Sequence, residues 1–189
     1  MKLLIDYLLR FGDLSQQHID LITSKARTVE FRKDDYFYEV GKVPASVGYI
    51  VEGVLRISFH NEAGEDITRY FMDEDHMIAN INCFDHQIPS TESIQAVTDC
   101  TLIVFSKHDW DEFSDLIAGW DTIISKIIQK ALIEKLGRKA PLIEQDATTR
   151  YLSFLEKFPK MANRIPLYYL ASYLGITQSS LSRIRKTIR

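Results

Sequence analysis

Side chains of the kinds that read nucleic-acid bases gather near the end of the chain, in the run ITQSSLSRIRK. Thr177 is followed by Gln178, Ser179, Ser180, Ser182, Arg183, Arg185 and Lys186, interrupted by Leu181 and Ile184. On a helix of about 3.6 residues per turn, the two apolar residues fall on one side and the polar set on the other. An Arg can make a bidentate contact to guanine O6 and N7, a Gln can pair with adenine, and hydroxyls and Lys hold phosphates. The eight residues from Thr177 to Lys186 just named are therefore candidate contacts to double-stranded DNA. The charge distribution agrees. Residues 141–189 carry eight Lys and Arg against three Asp and Glu, a balance of +5, whereas residues 1–140 carry 15 against 23, a balance of −8. Phosphate backbones are attracted to the first and repelled by the second.

A row like this needs a support that presents it, and PLYYLASYLGITQSSLSRIRK has the anatomy of a helix-turn-helix. Ala171 is small enough to let a second helix approach. Gly175, four residues later, can take the positive φ of a tight turn, and Leu181 faces back into the angle between the helices. Leu170, Leu174, Ile176 and Ile184 complete a small core. Pro166 suits a first helical turn and Thr177 an N-cap. Upstream, Asp146 caps the expected helix ATTRYLSFLEKF, stopped by Pro159, with Tyr151, Leu152, Leu155 and Phe158 as its buried stripe. The stretch from Phe158 to Leu167 has room for at most a cramped strand pair. No residues follow the second helix to build a wing, so the helices themselves are expected to supply the phosphate contacts. The plain alternative is a solvated helix in an all-helical end domain; spacing, cap and charge together weigh against it.

The preceding chain changes period twice. From Val29 to Phe105 short apolar runs alternate with turn signals, as in VGYIVEG and VLRISFHNEAGE, which predicts an antiparallel barrel or roll. Leu55, Ile57 and Phe59 take one face of a strand, Val54, Arg56 and Ser58 the other, and Asn61 to Gly64 supplies a hairpin turn. From Asp109 the period is helical. Ile117, Trp120, Ile124, Ile127 and Ala131 form one line, and Ile124, Ile128, Leu132 and Leu136 a second beside it. A roll covers one such face, which leaves the other for a twin helix, and the first line is expected at a homodimer interface. Burial of both faces inside one chain is the alternative. Gly137 and Pro141 are expected to end the helix. The expected fold is α+β: an N-terminal antiparallel β-roll sensor domain over 1–116, a dimerisation helix over 117–140, and a helix-turn-helix domain over 141–189.

The chain from Phe31 onward resembles the cyclic-AMP receptor/fumarate–nitrate regulator (Crp/Fnr) family, on the strings GYIVEGVLRISFHNEAGEDI, DATTRYLSFLEKF and LASYLGITQSSLSRI. The resemblance implies a cyclic-nucleotide-binding-like jelly roll, a dimer, an operator as DNA partner and RNA polymerase as a protein partner. It places Gln178, Ser179 and Arg183 at base-reading positions, where cyclic-AMP-responsive members often show Arg, Glu and Arg. Those members hold the ribose with a Gly-Glu pair and the phosphate with an Arg-Ser pair. Here the overlay puts Ala79 and Asn80 at the first pair, Ser90 and Thr91 at the second, and Lys135 and Leu136 where the adenine is met. Glu92 follows directly, and a carboxylate beside a buried phosphate costs several kcal/mol. Neither cyclic AMP nor another cofactor is expected. Arg69, Asn80, Ile81, Asn82, Ser90 and Thr91 remain as a candidate pocket for another effector, with an ordinary surface role the plainer reading of Arg69.

Other classes find little support. GxSxG, HExxH and phosphate-loop motifs are absent, so no enzyme is expected. Cys83 with His86 and nearby His76 falls short of a four-ligand metal site, and the N-terminal cysteine cluster of iron–sulfur members is missing. MKLLIDYLLRFG reads as an amphipathic helix with Leu4, Tyr7, Leu8 and Phe11 on its stripe, not as a signal peptide. No apolar run approaches the roughly 20 residues of a bilayer span. With 46% apolar residues the composition is that of an ordinary globular chain, expected in the cytoplasm. The competing function is a ligand-binding or protein-interaction roll whose basic tail is incidental.

Overall fold

The structure is a computed structural model that describes residues 1–144 and 146–188, the side chains of 137–144 excepted. Two helices open it, α1 (Lys2–Leu8) and α2 (Gln16–Lys25), the second capped by Ser15, whose side chain accepts from the His18 amide. The strands follow: β1 (Arg27–Phe31), β2 (Tyr36–Tyr38), β3 (Ser46–Glu52), β4 (Leu55–His60), β5 (Asp66–Met72) and β6 (Met77–Ile78). A short α3 (Ile81–His86) precedes β7 (Ser93–Ala96) and β8 (Cys100–Ser106). Then come α4 (Lys107–Leu116), α5 (Trp120–Glu144), α6 (Ala147–Lys157), α7 (Leu167–Leu174) and α8 (Gln178–Thr187).

Every strand pair is antiparallel, in two four-stranded sheets ordered β1-β8-β3-β6 and β2-β7-β4-β5. The β4–β5 hairpin turns at Asn61 to Gly64, where the Asn61 amide donates to Glu65 O at 3.0 Å and Gly64 takes φ +78°. Alternation then fills the space between the sheets with Ile50, Leu55, Ile57, Ile94, Leu102 and Val104. A second core lies on the outer side of the β8–β3 sheet, where Tyr49, Ile103 and Phe105 meet Leu4, Tyr7 and Leu8 of α1, Phe113 of α4 and Trp120 of α5.

Helix α5 departs from the sequence reading in two ways. It continues past Gly137 and Pro141 to Glu144, four residues beyond the expected end. A proline removes one helical hydrogen bond while the bonds on either side of it remain, so the helix continues across it. Its two apolar faces are also divided differently. Ile117, Trp120 and Ile127, expected at a dimer interface, are buried with Ile123 against the chain's own roll and α4, and Ile124 is half-buried there. Ala131 is exposed, and beside it Leu132, Ile133 and Leu136 are left 54%, 65% and 62% exposed. In α6, Tyr151 and Phe154 form the buried face, while Leu152 points to solvent. Phe154 lies three residues from Tyr151, on the same side of the helix; Leu152 is a neighbour a third of a turn away. The 159–165 stretch makes turns, without a strand.

Candidate functional site

Helices α7 and α8 meet across a turn built by local chemistry. Gly175 closes α7 in the left-handed region at φ +64°, and the Ile176 amide donates to Ala171 O at 3.0 Å. Thr177 Oγ1 accepts the Ser180 amide at 3.2 Å and starts α8. Leu181 and Leu170 are fully buried, Ala171 sits at the contact, and Ile176 and Ile184 pack at its edge.

The polar residues of α8 divide by partner. Gln178, Ser179, Arg183 and Lys186 are exposed, and the Arg183 guanidinium has no hydrogen-bond or ion-pair partner among the described residues. The hydroxyls of Ser179 and Ser180 each lie 2.9 Å from Thr177 Oγ1, and Ser182 is half-buried. Arg185 turns away from the exposed row. Its Nε donates to the Tyr151 hydroxyl at 2.9 Å, its Nη2 to Ala162 O at 3.3 Å, and its guanidinium lies 5.5 Å from the Tyr151 ring centroid. Arg185 thus ties α8 to α6, a use its place in the sequence did not signal.

The helical end unit is seated on the outer face of the β7–β4–β5 sheet, where Val54, Phe71 and Val97 join its core. At the centre lies Arg56, 2% exposed. Its Nε donates to Gln95 Oε1 at 2.8 Å, its Nη1 to Thr68 Oγ1 at 3.4 Å and its Nη2 to the Asp66 carboxylate. The Arg56 guanidinium also stands 4.0 Å from the centroid of the Tyr169 ring. The Tyr169 hydroxyl donates to Gln95 Oε1 at 3.0 Å, and the Thr68 amide to Ser172 Oγ at 2.9 Å. Burial pushes the Tyr169 hydroxyl's pKa up. At the margin, Arg164 grips Glu74 with two nitrogens at 3.0 and 2.6 Å, and Glu74 Oε1 also accepts the Gly53 amide at 2.9 Å. The hydrogen bonds from Arg164 outweigh burial and hold the Glu74 carboxyl at about 2. Gly53 has φ +109°, and a Cβ there would meet Asp99 O at 2.7 Å, so only glycine brings this amide to Glu74.

A cavity of about 490 Å³ opens between α5 and the roll. Of the six residues expected there, Asn80 and Ile81 line it. Arg69 reaches it through Glu92, which is in the wall, at 2.5 Å. The other three do not line it. Ser90 is buried with its hydroxyl engaged by the Glu92 backbone at 2.8 and 3.1 Å and by Asn80 Nδ2 at 3.3 Å, while Asn82 and Thr91 are exposed. Lys135 is in the wall, 5.2 Å from the Tyr70 ring centroid, whereas Leu136 faces solvent. Trp110, Met72 and Phe84 belong to the lining without a signal in the sequence, because α4, β5 and α3 converge only on folding, and Trp120, expected at a dimer interface, lines it as well. Cys83 is buried, with its Sγ 3.7 Å from Pro89 O, and His76 Nε2 lies 3.2 Å from Glu134.

Residues 28–115 match the family model of the Cyclic nucleotide-binding domain. No curated protein matches the chain. Among solved structures, the c-di-GMP responsive global regulator CLP of Xanthomonas campestris superposes with a TM-score of 0.73 at 14% identity, over 92% of this chain and 91% of that one. FixK2 from Bradyrhizobium japonicum gives 0.74 at 16%, over 86% and 84%, and the catabolite activator protein of Thermus thermophilus 0.58 at 16%, over 96% and 86%. The chain carries a cyclic-nucleotide-binding-type jelly roll, followed by helices, in the architecture seen in these solved structures.

Proposed function

We propose that the protein is a sequence-specific, DNA-binding transcription regulator, non-enzymatic, homodimeric and acting in the cytoplasm with RNA polymerase as a partner. The supporting observation is α8 itself: Gln178, Ser179, Arg183 and Lys186 stand clear on one side while Leu181 locks the other into the turn with α7. Arg183 and Gln178 read base edges, Ser179 and Ser182 supply hydroxyls, and Lys186 holds phosphate. The two-fold arrangement such a reader needs is supplied by the exposed Leu132, Ile133 and Leu136 of α5, which a second copy covers. Among the described residues no helix is long and apolar enough to cross a membrane.

Cyclic AMP is not the effector. The overlay's phosphate position falls on Ser90, whose hydroxyl is consumed internally, and the nearby cation, Arg69, is paired with Glu92. Selection of bound DNA from a random pool tests the function: an enriched, two-fold-symmetric sequence is expected. Retention of all sequences alike, or of none, would identify the chain instead as a ligand-binding or interaction roll.

A further inference from the structure

The cavity beside α5 has a wall chemistry that specifies a ligand class. Its apolar surface comes from Met72, Ile78, Phe84, Trp110, Ile124 and Ile127. Trp120 also lines it, is 1% exposed, and has an indole Nε1–H with no acceptor among the described residues. A buried donor without a partner costs free energy that a ligand acceptor would recover. The volume, about 490 Å³, lies within the range of small-molecule sites.

Charge narrows the class further. Besides Glu92, the wall carries Asp85, Asp111, Asp121 and Glu134 against Lys130 and Lys135. Arg69 is committed to Glu92 at 2.5 Å and stacked 4.6 Å over Phe59. An incoming phosphate or carboxylate meets this acidic excess with no free guanidinium to receive it. A cation is not demanded either, since Glu134 is held by His76 at 3.2 Å and Asp111 by Lys107 at 2.5 Å, while Asp85 and Asp121 are exposed to solvent.

Taking the roll as the sensor of the regulator proposed above, we propose that this cavity binds an uncharged, largely apolar small molecule, with one hydrogen-bond acceptor set against Trp120 Nε1–H. Both tryptophans of the chain, Trp110 and Trp120, are in its wall, so intrinsic fluorescence reports occupancy.

The test uses the full chain and Prodan, an uncharged naphthalene with one ketone, titrated while energy transfer from tryptophan is followed. The anionic naphthalene 1-anilinonaphthalene-8-sulfonate and cyclic AMP are titrated in parallel. Saturable binding of one Prodan per chain is expected, at least tenfold tighter than either anion. Trp120→Phe keeps an aromatic ring but loses the donor and should weaken Prodan about fivefold, the worth of one neutral hydrogen bond, with Trp110 as the remaining reporter. Ala79→Phe, which intrudes on the cavity wall, should weaken the binding and lower the transfer while a near-ultraviolet circular dichroism spectrum stays folded. Prodan that fails to saturate, an anion that binds as tightly, or affinity unchanged in both variants would overturn the assignment. A chain that selects DNA but ignores Prodan loses the ligand class alone, and one that binds Prodan but selects no DNA loses the regulator reading alone.

Discussion

Replacing Arg56 by Met and Tyr169 by Leu, singly and together, measures how firmly the helical end unit is seated on the roll. The Arg56 guanidinium is 4.0 Å from the Tyr169 ring centroid, and both residues are buried. With water excluded from both faces, the desolvated end of the cation–π range applies, about 2 kcal/mol. Each single variant loses more than this: Arg56→Met strips Asp66 and Gln95 of a donor, and Tyr169→Leu removes the hydroxyl bonded to Gln95. A double-mutant cycle cancels the costs that each variant incurs with its separate partners and leaves the coupling of the pair, their shared acceptor Gln95 Oε1 included. Urea unfolding of the four proteins should show the double variant destabilised by about 2 kcal/mol less than the sum of the singles. At a urea slope of about 2 kcal/mol per molar, that is about 1 M of non-additivity in the midpoint. Coupling within about 0.5 kcal/mol of zero would mean that the end unit does not rest on the β7–β4–β5 sheet, and the role given to Arg56 would fall.

On DNA, Arg183→Ala should weaken the selected sequence by about 1–3 kcal/mol per half-site and random sequence less, whereas Lys186→Ala should weaken both alike and flatten the salt dependence. Equal proportional losses in titrations across salt would remove the distinction. Arg185→Ala should lower the melting temperature with little change in salt slope, because its donors serve Tyr151 and Ala162. Leu136→Glu should give a monomer by light scattering at micromolar concentration, while Ile127→Glu, on the opposite face, should disrupt packing against the roll. Glu74 is held at about 2, below the ordinary carboxylate value, so its contribution to stability is present above about pH 4.5 and lost as pH falls toward 2. The stability gap between the wild type and Arg164→Gln should therefore close over that window in acid titrations followed by circular dichroism.

The parts of this protein that follow from neighbours in sequence were legible in it. Ala171, Gly175, Thr177 and Leu181 lie within eleven positions, and a cap, a left-handed turn and an i-to-i+4 contact need nothing from elsewhere, so the turn between α7 and α8 forms as their spacing dictates. The same holds for the β4–β5 hairpin, fixed by period-2 alternation and the turn at Asn61 to Gly64. Which of two apolar faces a helix buries is a different kind of question. The lines through Trp120 and Leu132 both have helical spacing, and only the position of β3, β8 and α1 gave the first to the roll and left the second bare. Arg56 alternates outward on β4, which predicts exposure, yet α7 arrives from more than a hundred residues away and buries it. Arg185 similarly shares a cationic run with Arg183 and Lys186 but meets Tyr151, and Ser90 falls at a ligand position in a linear overlay but spends its hydroxyl on Glu92. Local chemistry sets the elements, whereas burial and the free hydrogen-bonding groups depend on contacts between distant segments, and these exist only once the sheets and helices have closed on one another.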